Sequence, residues 1–169
     1  KTHMDAERAS GAGTPKPPKP PKPPKGASGA DDTLVDYYKN LRTNKDIPGQ
    51  AHHLNQDAAF RDVIPKKEGL AVKLEGNIRT DINSPHYNAH KSLEGFWNKY
   101  RKGGASYGAK PTISEYNSAL YDSLKSAGLS EVQVTKVVSE AIKQQLDYGL
   151  LSEKLIPRIP GRINLPKLK

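Results

Sequence analysis

The sequence predicts an α+β fold that is mostly helical, and three observations support this prediction. Residues 85–102, 112–127 and 130–148 carry apolar side chains at helical spacing, and each begins at or directly after a residue suited to capping a helix. Residues 70–77 alternate apolar and polar side chains, as a short strand does. The chain has 169 residues, of which 34% are hydrophobic, so it is long enough for one domain with a modest core.

The first 30 residues are predicted to be a linker. The stretch TPKPPKPPKPPKG, residues 14–26, repeats Pro-Pro-Lys with a period of three. Proline cannot continue a helix or donate to a sheet, so an extended polyproline II spacer is expected. We expect this spacer to connect the domain to an upstream delivery module, and the chain to be a piece of a longer protein. A polyproline ligand for an aromatic groove is the weaker alternative, and His3-Met4 is typical of a cloning tag.

The domain is expected to begin with a helix. Within residues 31–45 four apolar residues recur at helical spacing, after two aspartates that favour a helix N-terminus. These apolar residues are Leu34, Tyr37, Tyr38 and Leu41. A short helix is expected within residues 55–64, and PKKEG at 65–69 is expected to form a turn before the strand.

Three later helices have recognisable N-caps. Ser84 precedes the first of them, and the capping-box pattern appears twice, as Thr112 with Glu115 and as Ser130 with Gln133. The predicted organisation is a linker (1–30) and one domain (31–169) that comprises a motif region (51–101), two C-terminal helices (112–148) and an extended basic tail (149–169).

The composition excludes several classes of function. The chain has no cysteine, which excludes disulfides, iron–sulfur clusters, thiolate zinc and cysteine nucleophiles. It contains no HExxH motif and no glycine-rich phosphate loop, so a zinc protease and a nucleotide hydrolase are disfavoured. No apolar run is long enough to predict a membrane span. The net charge of +9 favours a polyanionic partner such as nucleic acid, although solubility alone also accounts for it.

Four of the five histidines lie in two short clusters. His86 and His90 stand four residues apart in a predicted helix, so their imidazoles are expected on one face, where they could share one metal ion. His52 and His53 are adjacent, and successive side chains alternate in an extended chain. We therefore expect one of them to complete the metal site and the other to stay free for proton transfer. Three neutral imidazoles plus water form a workable catalytic metal shell.

The order of these residues resembles the ββα-metal motif of the HNH/endonuclease VII superfamily. AHHL at 51–54, Gly-Asn at 76–77 and PHYNAH at 85–90 follow one another as in AHH-type toxin domains and in the nuclease domains of DNase colicins. The gap between the first two elements is longer than in the colicin hairpin, and the short helix expected there could fill it. The resemblance implies a short hairpin plus a helix, packed with additional α-helices, around one divalent metal ion: Zn, Mg, Mn or Ni.

The resemblance also implies a role for each residue of the motif. His52, His86 and His90 would be the metal ligands, and His53 would be the general base that takes a proton from the attacking water. Asn77 would pin its loop and orient His53. The implied activity is that of a metal-dependent endonuclease that cleaves DNA and leaves a 5′-phosphate. The basic residues near enough in sequence to contact phosphates are Lys66, Lys67, Lys73, Arg79, Lys91, Lys99, Arg101 and Lys102.

A rigid linker ahead of a small nuclease resembles the C-terminal toxin of a secreted antibacterial effector. This resemblance implies delivery into the cytoplasm of a target bacterium and a cognate immunity protein, acidic in character, that caps the basic cleft. Two alternatives stay open. One is a non-catalytic, zinc-stabilised module that binds nucleic acid or a protein partner, and the other is an RNase on the same scaffold.

Overall fold

A computed structural model describes residues 33–167 of the chain, and the predicted linker at 1–30 lies outside the described residues. Five α-helices, a 3-10 turn and three strands form an α+β fold within this range, as the sequence predicted. The strands are β1 (Asp36–Tyr37), β2 (Gln50–His53) and β3 (Leu70–Leu74). The helices are α1 (Tyr38–Leu41), α2 (Asp57–Phe60), α3 (Pro85–Asn98), α4 (Ile113–Ser126) and α5 (Glu131–Asp147), and the 3-10 turn spans Lys66–Glu68.

The three strands form one antiparallel sheet with β3 in the centre. In the pairing of β2 with β3, His52 lies opposite Val72 and His53 lies opposite Ala71. The connection between these strands contains α2 and the 3-10 turn, which accommodates the long gap seen in the sequence. Strands β2 and β3 and helix α3 therefore follow one another as two antiparallel strands and a helix.

The N-caps of the three long helices are confirmed. The Ser84 hydroxyl accepts a hydrogen bond from the backbone N–H of Tyr87, and reciprocal capping boxes start α4 at Thr112 and α5 at Ser130. Helix α4 packs against both α3 and α5, and Trp97 and Tyr116 are buried in the core between the elements. Among the described helices, none combines the length and apolar character needed to cross a bilayer.

The helix predicted within residues 31–45 is wrong over most of its described length. Asp36 and Tyr37 form β1, which pairs with β3, and only α1 is helical there. Pairing with β3 places Tyr37 opposite Leu70 and leaves it 6% exposed. The apolar spacing in this segment therefore serves the edge of the sheet as well as a single helical turn, and tertiary contacts override the local pattern.

The tail beyond α5 contains a turn at residues 152–153 and otherwise follows an irregular path over its described residues, and it packs closely against the domain. Ile156 is buried, and Leu155 forms an isolated bridge with Thr112. Farther along, the tail runs beside α3, where the hydroxyl of Tyr87 donates to the carbonyl of Pro166 at 2.5 Å. Helix α3 is thus held between the sheet and the C-terminal tail.

Candidate metal centre

Three imidazoles converge where β2 meets the first half of α3. The ring centroid of His52 lies 5.1 Å from that of His86 and 4.9 Å from that of His90, and the two rings on α3 are 4.8 Å apart. Each ring offers one nitrogen such that the three atoms lie within 4.8 Å of one another. The three residues predicted as metal ligands are therefore brought together, and we call them the histidine triad.

Two nitrogens of the triad are buried and have no hydrogen-bond partner among the described residues: Nε2 of His52 and Nδ1 of His90. A buried polar atom without a partner destabilises a protein by about 1–3 kcal/mol, so native structures contain few of them. A metal ion accepts the lone pair of such a nitrogen, and three imidazoles form the donor set of many zinc and other transition-metal sites. The triad thus fits a bound cation.

The third ring, that of His86, is held in a defined tautomer. Its Nδ1 lies 3.0 Å from Oε1 of Gln50 and 3.3 Å from the carbonyl oxygen of Gly76. Both oxygens accept, so Nδ1 carries the proton and donates, and the lone pair of Nε2 is left for a metal. Gln50 is a site residue that the sequence analysis missed. The available signal was its position two residues before His52, because alternate residues of a strand share a face.

The loop between β3 and α3 brings the helix to the sheet. Gly76 has a φ of +104°, and a Cβ at this position would lie 2.1 Å from Oγ of Ser84, the residue that caps α3. Only glycine fits such a position without rearrangement. The backbone N–H of His86 also donates to the carbonyl of Glu75 at 2.9 Å. In the Gly-Asn pair of the motif, the backbone conformation and the close approach of Ser84 therefore require the glycine.

Burial keeps the triad uncharged. It lowers the pKa of His52 well below the usual value, and the neighbouring His90 and His86 lower it further. Burial first, and then His86, lowers the pKa of His90 to about 4. Burial also lowers the pKa of His86, partly offset by its bond to the Gly76 carbonyl. Neutral imidazole is the form that binds metal, so the triad is ready to bind at neutral pH.

His53 lies outside the triad, on the other face of β2. Its ring stacks on that of Tyr38, with centroids 4.1 Å apart and planes 15° apart. Its Nε2 is 2.9 Å from the carbonyl oxygen of Lys66, so Nε2–H donates and, in the neutral ring, the lone pair lies on Nδ1. A Cβ on Gly69 would lie 2.8 Å from Cδ2 of His53, so this ring position requires glycine there. Burial lowers the pKa of His53, and the bond to Lys66 opposes that effect.

Asn77 pins its loop but does not hold His53. Its side-chain oxygen accepts from the backbone N–H of Arg79 at 2.8 Å, and its own N–H donates to Oδ2 of Asp81 at 2.8 Å. The orienting role predicted for Asn77 is instead filled by the Lys66 carbonyl and the Tyr38 ring. Asn77 is exposed, and its contacts stabilise the turn that leads into α3.

The eight predicted phosphate-binding residues differ in their exposure. Six are exposed, and Lys73 is half-buried with Nζ 3.2 Å from the Gly49 carbonyl. The prediction for Arg101 is wrong, because this residue is 8% exposed and forms a bidentate ion pair with Glu94 at 2.8 and 3.1 Å. It also donates to the carbonyls of Pro160 and Gly161, so its guanidinium is engaged inside the fold. The six exposed residues are Lys66, Lys67, Arg79, Lys91, Lys99 and Lys102.

No family model, curated protein or solved structure matches this chain. The resemblance to the HNH superfamily accordingly rests on the motif residues themselves and stays a prediction.

A second buried polar group, the amide cluster, braces the connection between β2 and β3. Gln145 donates to the side-chain oxygens of Asn55 and Asn117, at 2.7 Å in each case. Gln144 accepts from the backbone N–H of Leu70 and donates to the carbonyl of Glu68. Helix α5 thereby fixes both ends of this connection, which includes the Lys66 carbonyl bound to His53. The members of the amide cluster are Asn55, Asn117, Gln144 and Gln145.

Proposed function

We propose that this protein is a metal-dependent endonuclease, with DNA as the expected substrate. The observation that supports this most strongly is the histidine triad, in which three ring nitrogens lie close together and two buried nitrogens have no partner among the described residues. Three nitrogen donors suit Zn²⁺ or Ni²⁺ better than Mg²⁺, which prefers oxygen ligands. When bound by His52, His86 and His90, the cation would stabilise the charge that develops on the scissile phosphate.

His53 is the proposed general base. The Lys66 carbonyl binds the protonated Nε2, which leaves Nδ1 to take a proton from the attacking water. Burial lowers the pKa of His53 and keeps the ring neutral before the reaction. Once Nδ1 is protonated, the hydrogen bond from Nε2–H to the carbonyl strengthens because its donor is charged. Gly69 and Tyr38 hold the ring in one orientation for this role.

The proposed biological setting is that of an antibacterial effector. In that setting the linker joins the domain to a delivery module, and the enzyme is secreted by its producer and acts in the cytoplasm of a target cell. An acidic immunity protein would protect the producer by covering basic surface around the site. The support is the Pro-Pro-Lys tract and the net charge of +9.

A second candidate function is a zinc-stabilised binding module without catalysis. The observation that favours it is the position of His53, which lies across β2 from the triad and is engaged by Tyr38 and Lys66. In such a module the triad would hold a structural cation, and His53 would serve only to pack the turn before β3. Both functions require the metal, and they differ in what His53 does.

The deciding experiment incubates supercoiled plasmid with the purified full chain, in Zn²⁺, Ni²⁺, Mn²⁺ or Mg²⁺ and in chelator. The variants are His53→Ala, His90→Ala and, as a matched histidine control, His3→Ala. We expect metal-dependent nicking by the wild type and by His3→Ala. His90→Ala should lose bound metal and activity together. His53→Ala should keep its metal content and lose about 10²- to 10⁴-fold in rate, the usual contribution of a general base.

Three outcomes would contradict the proposal. Nicking that persists in excess chelator would exclude the triad as the source of activity. Full activity in His53→Ala would show that His53 is not the general base. Metal binding by the wild type with no cleavage of any nucleic acid would favour the binding module. Parallel digestions of RNA decide whether the substrate is DNA or RNA.

A further inference from the structure

A basic groove runs along α3 on the face next to the histidine triad. It has a volume of about 620 Å³ and lies between the loop before α3 and the C-terminal tail. Lys91, Arg162 and Lys167 line it, and all three side chains are exposed. A smaller cleft of about 300 Å³ continues past Arg162 to Arg79. Four cations are therefore distributed along one continuous concave surface.

Two structural links place this groove beside the triad. Tyr87 and Lys91, which line the groove, each follow a triad histidine by one residue in α3, and residues four apart share a helix face. The groove face of the helix is thus adjacent to the triad face. The opposite wall belongs to the loop that starts at Gly76, whose carbonyl contacts His86. No triad histidine lines either cavity, so a ligand in the groove would lie about a quarter turn around α3 from whatever the triad holds.

The groove is electropositive because its acidic residue is already neutralised. Among the residues that line the two cavities, Glu94 is the one carboxylate. Its oxygens accept from both terminal nitrogens of Arg101 and from the backbone N–H of Ile163. This buried pair leaves the four groove cations without a competing charge from the lining.

The same ion pair fixes the position of the tail. Arg101 donates to the carbonyls of Pro160 and Gly161, and Glu94 binds the N–H of Ile163. Arg162 lies between these anchors, and its Nη1 is 3.3 Å from Oδ1 of Asn98. These contacts hold the backbone at Arg162, and the bond from the Tyr87 hydroxyl to the Pro166 carbonyl holds it beside Lys167. Ordering this backbone before a ligand arrives lowers the entropic penalty of binding.

We propose that this groove binds the phosphodiester backbone of the DNA substrate on one side of the scissile bond, through Lys91, Arg162, Lys167 and Arg79. This inference rests on the proposed nuclease function and adds the tail to the substrate site. Arg162 and Lys167 were not among the phosphate contacts expected from the sequence, because they are more than 70 residues from the motif histidines. Charge complementarity with phosphate selects a polyanion as the occupant.

The test measures the binding of a fluorescein-labelled DNA duplex by anisotropy, using the full chain in chelator so that the DNA stays intact. The double variant Arg162→Ala/Lys167→Ala is compared with Lys125→Ala/Lys154→Ala, which removes the same charge from exposed positions outside both cavities. The groove variant should bind roughly tenfold more weakly at about 0.1 M salt, with a plot of log K against log salt that is shallower by about 1.5–2. The control variant should match the wild type.

The outcomes separate this inference from the proposed function. If the groove variant binds DNA with the affinity and salt dependence of the wild type, the groove inference fails, even if the wild type cleaves plasmid. If the wild type never cleaves DNA but the groove variant binds with a shallower salt dependence than the wild type, the groove inference stands and the nuclease proposal fails. Binding of RNA alone through the same residues overturns the assignment to DNA. If the alanine variant loses its native circular dichroism, Arg162→Gln/Lys167→Gln replaces it and the same criteria apply.

Discussion

The histidine triad and the amide cluster are two buried polar groups that differ in how fully their nitrogen and oxygen atoms are hydrogen-bonded. His52 is 2% exposed and Gln145 is 1% exposed, so both are shielded from water. Each side-chain nitrogen and oxygen of Gln145 has a hydrogen-bond partner, whereas Nε2 of His52 has none among the described residues. Both groups touch the same stretch of chain, because Asn55 follows His52 by three residues.

This difference indicates which group is structural and which is functional. A fully satisfied polar cluster holds a unique arrangement of the elements around it. A buried group with missing partners destabilises the fold and persists where an external ligand completes it. The amide cluster therefore serves the architecture, whereas the triad has the arrangement that the proposed metal binding requires. Replacing a polar side chain by leucine should therefore have opposite effects on the stability of the metal-free protein in the amide cluster and in the triad.

The largest effect on stability is expected from Gln145→Leu. This change leaves the side-chain oxygen of the buried Asn55 and the amide of the half-buried Asn117 without their partner, so the free energy of unfolding should fall by about 2–5 kcal/mol. Urea denaturation of the metal-free protein measures it. The exposed Gln50→Leu makes the same chemical change and should stay within about 0.5 kcal/mol of the wild type in the absence of metal. Equal losses in both variants would mean that the amide cluster is not a structural unit.

Metal binding should stabilise the protein by nearly as much. At a cation concentration about a hundred times the dissociation constant, the free energy of unfolding should rise by about 2.7 kcal/mol, since the ligand binds the native state. Thermal unfolding with and without Zn²⁺ or Ni²⁺ measures the change. His90→Ala should show no such rise. A metal-induced shift of equal size in this variant would locate the cation elsewhere.

Gln50 offers a finer test of how the triad is held. Gln50→Leu removes one acceptor from Nδ1 of His86 and should weaken metal affinity by about tenfold, the lower end for such supporting residues. The expected loss of affinity is at the lower end because the Gly76 carbonyl oxygen, 3.3 Å from Nδ1 of His86, still accepts a hydrogen bond from it. Gln50→Glu keeps an acceptor and should retain affinity, as measured by isothermal titration. Weak binding in both variants would show that an acceptor oxygen at this position is not what supports the metal site, because glutamate and glutamine side chains have the same length.

His52→Leu should make the metal-free protein more stable. Leucine has a similar volume and removes a buried nitrogen that has no partner, so we expect a gain of about 1–2 kcal/mol in the free energy of unfolding. The same variant should lose the metal-induced stabilisation. A destabilised metal-free His52→Leu protein would show that this imidazole contributes packing or hydrogen bonds of its own, contrary to the contrast drawn above.

The most gradual effect concerns pH. Burial lowers the pKa of His90 to about 4, whereas the unfolded chain titrates near 6.5. Between these values the unfolded state binds more protons, so metal-free stability should be complete above about pH 6.5 and decline as the pH falls toward about 4. Urea midpoints across this range measure the slope, and His90→Leu should reduce it, leaving the part that comes from His52, His53 and His86, whose pKa values burial also lowers. A slope unchanged in that variant would assign the titration to other groups.

Local signals explain most of what the sequence predicted correctly. Ser84, Thr112 and Ser130 act on N–H groups within three residues, so their caps were visible in the sequence. The triad was also predictable, because a four-residue spacing on a helix puts His86 and His90 on one face. The third ligand was assigned by resemblance, and the structure brings it to the same point.

Long-range partners explain what the sequence did not predict. The Arg101 side chain was expected on the surface, but its partners include Glu94, seven residues back, and tail carbonyls about sixty residues ahead. The acceptor role of Gln50 depends on His86, 36 residues away. Residues 36 and 37 form a strand because β3 lies beside them. No local pattern contains this information, since each case depends on which segments the fold places side by side.

The position of the triad has a consequence for a protein that has no cysteine. His52 belongs to the sheet and the other two rings belong to α3, so a shared cation would close a loop of roughly 35 residues, a length for which a covalent cross-link contributes about 3–4 kcal/mol. The cation would thus be a reversible cross-link between strand and helix. Unlike a disulfide, this cross-link would form and break with the supply of metal and would not depend on reducing conditions.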